Sequence, residues 1–232
     1  MRYFIKFYKK GYMRYTSHLD MLRLFKRTFK RSGIKLQHSH GFNPHPKMSF
    51  AQPLSLGYYS IGEYLEFETI EDKDVKEIKL KVNSILPDGI GILECHRITK
   101  NLKSMASMVS YGEYDIKVPY NENDYLKYKM TEFLSQEHII INKIQKKSGK
   151  IVEIDIKPMI LNLSHNKIDD NHIMLTSKIS TGSLSNLSPE NLLGAFLDFF
   201  EIKIERSDID IKRNELYCSD KENLITLAQY FS

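Results

Sequence analysis

The sequence predicts an α+β fold of two tandem ferredoxin-like (βαββαβ) units with antiparallel sheets. Three observations point there. Short stretches of apolar alternation are separated by stretches of helical periodicity. The order strand, helix, strand, strand, helix, strand can be read once in residues 1–104 and again in 105–232. Residues 99–111, with Lys100, Lys103 and three serines, have the composition of a linker between them. The expected domains are therefore 1–104, basic and loop-bearing, and 105–232. A chain of 232 residues with 41% hydrophobic content suits two small folded domains and excludes wholesale disorder.

In the first half, Tyr3, Ile5 and Phe7 alternate with Phe4, Lys6 and Tyr8, giving an extended segment over 2–15 with one apolar and one mixed face. Ser17 then opens a helix, with Asp20 placed to complete a capping box, and Gly33 stops it. At 100° per residue Leu19, Leu22, Phe25 and Phe29 form its apolar stripe, opposite Arg23, Lys26, Arg27, Lys30 and Arg31. Ile34–Ser39 and Tyr64–Glu68 read as strands joined by an elaborate loop, followed by a helix over 73–86 and a strand over 90–98. In the second half, strands are expected over 114–118, 139–144, 151–163, 173–179 and 202–211. Helices are expected over 125–134 and from Ser188-Pro189-Glu190 onward, buried by Leu192, Leu193, Phe196, Leu197 and Phe200.

Charge is strongly segregated. The first fifty residues hold twelve Lys and Arg against the single acid Asp20, a net +11 in a chain whose total is +5. Such a field points to a polyanionic partner, with nucleic acid first; the alternative is a solvated face. The most specific local feature is Gly41-Phe42-Asn43-Pro44-His45-Pro46-Lys47. Pro44 and Pro46 fix φ and push Asn43 and His45 toward extended geometry, while Gly41 permits a sharp entry. An aromatic ring, an amide, an imidazole and a cation in fixed directions suit stacking, base-edge and phosphate contacts; the alternative is a structural crossover with Phe42 buried. The expected RNA-contacting residues are Arg14, Arg23, Arg27, Lys30, Arg31, Phe42, Asn43, His45 and Lys47.

Other chemistry is weighed against this. His18, His40 and His45 are candidate catalytic groups for a metal-independent endoribonuclease. His38 and His40 share a strand face, but with no Cys or carboxylate beside them in a positive field no metal is expected. A second site is conceivable if Asp155 and Arg206 face each other across a sheet. There is no phosphate-binding loop, dinucleotide-binding glycine pattern, Gly-x-Ser-x-Gly or closely spaced Cys motif. Cys95 and Cys218 are far apart and read as reduced thiols. No apolar run reaches membrane-spanning length and the start reads as a strand, so a cytoplasmic protein without cofactor or membrane partner is expected.

Arg14-Tyr15-Thr16-Ser17-His18-Leu19-Asp20, the loop Gly41 to Lys47, Pro53-Leu54 through Gly57, and Gly62-Glu63-Tyr64 together resemble the radical-SAM-linked family of unknown function. Glu153 to Pro158 and Ile204-Glu205-Arg206 are similar to it as well. The resemblance implies association with a radical SAM protein, since members occur fused to one or encoded beside one; this chain looks like the stand-alone form, with no cluster-binding cysteines. It implies no established reaction. The expected function is an RNA-binding accessory role in tRNA or rRNA modification beside a radical SAM partner. The alternatives are the endoribonuclease, using His18 or His45, and a protein-interaction scaffold.

Overall fold

The computed structural model describes residues 1–100, 102–120, 124–145, 149–220 and 223–232. In chain order the elements are β1 (Arg2–Lys9), α1 (His18–Arg31), β2 (Met48–Phe50), β3 (Tyr59–Glu68), α2 (Val75–Asn83), β4 (Ile90–Arg97), α3 (Met105–Met108) and β5 (Tyr111–Pro119). They continue with α4 (Asp124–Ser135), β6 (Ile140–Ile144), β7 (Ile151–Asp155), β8 (Ile160–Asp169), β9 (His172–Ser180), α5 (Pro189–Phe199), β10 (Asp210–Asp220), β11 (Asn223–Thr226) and α6 (Leu227–Phe231). This is a mixed α/β fold with mostly antiparallel strand pairing and six α-helices among the described residues.

The chain forms two compact units, residues 1–110 with 212–232, and residues 111–211. The first contains the strand order β4-β1-β3-β10, with β2 on β3 and β11 on β10. Strand β1 lies antiparallel between β3 and β4. It is buried on both faces, which explains its aromatic content. Tyr3, Ile5 and Phe7 join Met21, Phe25 and Phe29 of α1 and Ile78 and Val82 of α2 in one core cluster. Phe4, on the face expected to be mixed, joins a second cluster with Tyr64, Met105, Val109, Leu216 and Phe231. Gly62 admits this arrangement because a Cβ there would collide with the backbone carbonyl of Asn214.

The second unit does not repeat the first. Its sheet is the antiparallel series β5-β9-β8, while among the described residues β6 and β7 pair only with each other. The βαββαβ order is therefore not reproduced in residues 111–211. Helices α4 and α5 pack through Phe133, whose ring meets Phe196 at 6.0 Å and Phe199 at 5.3 Å.

Several expected boundaries move. The extended run expected over 151–163 is divided by a 3-10 turn at Lys157–Met159, where Pro158 removes a ladder donor. Residues 202–205 are irregular, Arg206–Asp208 form a 3-10 turn, and the strand expected there begins at Asp210. The expected linker 99–111 is, in its described part, no linker. Met105 and Val109 are buried, and the Arg2 guanidinium donates to the Leu102 and Lys103 carbonyls at 2.5 and 2.8 Å. Asn101 lies outside the described residues. The cut expected at 104/105 falls instead at 110/111, and the C-terminal segment rejoins the first unit because Leu216, Leu227 and Phe231 complete its second core cluster.

Candidate functional site

Helix α1 starts at the expected Ser17 cap, but the capping box is not completed, because Asp20 accepts from the Ser17 hydroxyl rather than from its backbone N–H. The Ser17 Oγ accepts from the Asp20 backbone N–H at 3.2 Å, and Ser17 in turn donates to the Asp20 carboxylate at 2.7 Å. These bonds, Ser17 first, hold the Asp20 carboxyl below its usual range. The buried positions are Met21, Phe25, Thr28 and Phe29. Leu19, expected in the apolar stripe, is exposed; it lies about 200° around the helix from Met21. The C-terminus closes as a Schellman motif. Ile34 N–H donates to the Phe29 carbonyl at 3.1 Å and Gly33 N–H to Lys30 at 3.3 Å, with Gly33 at φ +74°. That turn carries Ile34 back into the core beside Phe29.

Residues 36–47 then form a narrow hairpin held by isolated bridges, rather than the strand expected over Ile34–Ser39. Isolated bridges pair Leu36 with Thr69 and His38 with Pro46. Lys47 N–H donates to the Gln37 carbonyl at 2.7 Å, and Ser39 N–H to His45 at 2.8 Å. The tip, His40 to His45, is exposed on every residue, and Phe42 is fully exposed. The alternative of a buried Phe42 is thus removed. Ser39 Oγ accepts from the His45 backbone N–H at 3.1 Å and steadies the tip from within.

Partners within the fold separate most of the basic residues of the first fifty into two groups; exposed Lys10, over the Tyr8 ring at 4.9 Å, stands apart from both. Arg2 pairs with Glu66, Lys6 with Glu215 at 2.6 Å, Lys47 with Glu68 at 2.9 Å and Arg23 with Asp20 at 2.9 Å. Arg14 stacks between the rings of Tyr15 and Tyr59, at 4.8 and 4.7 Å, and donates to both hydroxyls. Lys9 is buried and donates to the Thr16 carbonyl at 2.9 Å; burial first of all holds its ammonium below the usual lysine range. By contrast Lys26, Arg27, Lys30, Arg31 and Lys35 are exposed and make no ion pair among the described residues. Of the expected RNA-contacting set, Arg27, Lys30, Arg31, Phe42, Asn43 and His45 remain presented to solvent. Arg14, Arg23 and Lys47 are already engaged.

An open groove of about 550 Å³ lies between α1 and the base of the hairpin. Its apolar lining is Phe29, Ile34, Leu36 and Pro46 with Ile70 at the mouth, and its polar lining is Lys26, Lys30, Lys35 and His38. Reading the sequence singled out neither Lys35 nor Ile70. The signal that finds them is Gly33, whose turn folds the chain after α1 back along the helix.

The histidines separate. His40 and His45 are exposed at the hairpin tip, whereas the His18 ring packs against Phe50 at 5.3 Å. His18 lines a cavity of about 20 Å³ with Lys9, Glu63 and Phe7, room for about one water and not for a ribose. Beside it the Arg213 guanidinium and the Glu63 carboxylate form a buried ion pair, with contacts of 2.5–2.8 Å. Among the described residues no group of three or more His, Cys, Asp and Glu could hold a metal ion. The expected second site is not formed by the bonds of its two residues. Asp155 accepts from His138 at 2.8 Å and from the Ile139 and Lys157 backbone at 3.0 Å each, which lowers its carboxyl pKa, the His138 bond foremost. Arg206 instead pairs with Glu190 at 2.6 Å.

A family model described as "Uncharacterized protein conserved in bacteria (DUF2344)" matches residues 2–189. The chain belongs to this family. The DUF2344 match covers α1, the hairpin and the groove; Arg206 and Arg213 lie beyond it. A search of curated proteins finds no match. Among solved structures, the fold is similar to a chain described as "Crystal Structure of a Cbf5-Nop10-Gar1 Complex". The identity is 12%, the TM-score 0.52, and the match covers 97% of this chain and 52% of that one. The DUF2344 chain thus spans about half the length of that solved chain. A second similarity, to an unknown protein from Galdieria sulphuraria, has 13% identity, covers 91% of this chain and 97% of that one, and has a TM-score of 0.26. No described helix is long and apolar enough to cross a membrane.

Proposed function

We propose that this DUF2344 chain is a cytoplasmic RNA-binding accessory protein that works with a radical SAM enzyme in the modification of tRNA or rRNA. The radical SAM association rests on the motif resemblance around Ser17-His18-Leu19-Asp20 and Gly41 to Lys47. RNA binding rests on one observation above others. Five exposed cations that make no ion pair among the described residues, Lys26, Arg27, Lys30, Arg31 and Lys35, gather on α1 and the segment after it, beside a hairpin that holds Phe42 fully in solvent. Unpaired Lys and Arg attract phosphates, and an exposed ring on a braced tip offers a stacking surface for an unpaired base. The ferredoxin-like reading of the first unit is supported by its strand order β4-β1-β3 with β2 on β3. The test is binding to single-stranded RNA across a salt series. The proposal expects affinity to fall steeply with salt and to weaken on Phe42→Ala. Affinity unchanged between low and physiological salt would falsify it.

A further inference from the structure

We infer that the groove between α1 and the hairpin base is a pocket for one nucleobase lifted out of an RNA strand, with the adjoining phosphates held by Lys26, Lys30 and Lys35. This inference deepens the RNA-binding reading and rests on it. The groove joins an apolar lining, whose one aromatic ring, Phe29, is fully buried, to three ammonium groups and one imidazole, and no carboxylate is among the residues that line it. Its volume of about 550 Å³ is in the range of small-ligand clefts. A complementary ligand therefore has a flat apolar face and more than one negative charge nearby. A fatty acid supplies apolar surface but no flat face, and its single charge leaves most of the rim unsatisfied. A nucleotide within a strand has a ring face and a phosphate on each side, and its next phosphates can continue along Arg27 and Arg31 of the same helix.

The groove also carries a base-edge reader. His38 Nδ1 lies 3.2 Å from the Leu36 carbonyl, an oxygen that only accepts, so in the neutral ring Nδ1 holds the proton and donates. The Nε2 of His38 is then an acceptor on the groove rim, suited to an exocyclic amine or ring N–H. Ile70, at 63% exposure, leaves an aliphatic surface at the mouth for the base to cover.

The chain contains no tryptophan, so 2-aminopurine placed in a single-stranded oligonucleotide can be followed in the intact protein. A base leaving its stacked neighbours for an aliphatic pocket brightens. The expected result is at least a twofold rise on binding, lost in Ile70→Glu and kept in Phe42→Ala. Because Ile70 is mostly exposed, that variant keeps its fold, checked by an unchanged melting temperature. Binding without a rise, or a rise that survives Ile70→Glu, overturns the pocket and leaves the RNA reading intact. No salt-dependent binding at all overturns both. Laurate bound at the groove while 2-aminopurine stays dark makes it an acyl site and also overturns the inference.

Discussion

Strand β1 and helix α1 draw on the same cation-rich stretch of sequence and use it in opposite ways. Arg2, Lys6 and Lys9 of β1 face inward or along the sheet. Arg2 and Lys6 meet carboxylates and Lys9 a backbone carbonyl. Those partners include Glu66 and Glu215, supplied by strands 64 and 209 residues away in sequence. On α1, among the described residues, only Arg23 has a carboxylate, the local Asp20, and the rest of the basic face is exposed. A charge excess in sequence is therefore not a charged surface. Only the cations left over after the fold has paired the others generate the field that a distant partner meets.

The contrast predicts that changes near the sheet act on stability and changes on α1 act on binding. The largest effect is expected at the buried end of the sheet. Glu63→Gln removes the buried carboxylate that pairs with Arg213 beside Lys9, so unfolding should become easier by about 3–5 kcal/mol. Chemical denaturation measures this, and a loss under 1 kcal/mol would mean that the pair is well solvated. A smaller loss, about 1–2 kcal/mol, is expected for Gly33→Ala, because a Cβ is strained at φ +74°. The same change should widen or close the groove and so alter base capture without touching a cation.

Lys9 gives a test by pH. Its folded pKa is depressed by burial below the ordinary 10.5. The unfolded chain therefore binds the extra proton, and wild-type stability gains from this group as pH rises through the folded value toward 10.5. The stability of Lys9→Met minus that of wild type should accordingly fall between pH 7 and pH 10.5; a difference independent of pH would place the ammonium in water. The smallest stability effect belongs to α1. Lys26→Gln with Lys30→Gln should change unfolding by no more than about 0.5 kcal/mol. A larger loss would show that these cations serve the fold after all.

Much of the site was legible in sequence because its determinants are local. The Ser17 cap, the Gly33 stop, the cationic side of α1 and the proline-braced tip all depend on residues a few positions apart, and each is found where those residues place it. The pairing of Arg2, Lys6 and Lys47 was not legible, since it depends on strand register with β3 and β10. Nor was the return of 212–232 to the first unit, or the burial of Met105 and Val109 in what reads as a linker. Those segments have ordinary local patterns, and only the apolar face of Phe4 and Tyr64 gives them a reason to pack there. In the second unit extended chain was visible over 139–144 and 151–163, but not that, among the described residues, β6 and β7 would pair only with each other.

The central claim is that the free cations of α1, rather than the net charge of the chain, bind RNA. The most direct measurement is the dependence of RNA affinity on salt for wild type and for the quadruple variant Lys26→Gln, Arg27→Gln, Lys30→Gln, Arg31→Gln. Four lost phosphate contacts should flatten the slope of log K against log salt by about 2.8. Equal slopes for the two proteins would contradict the account.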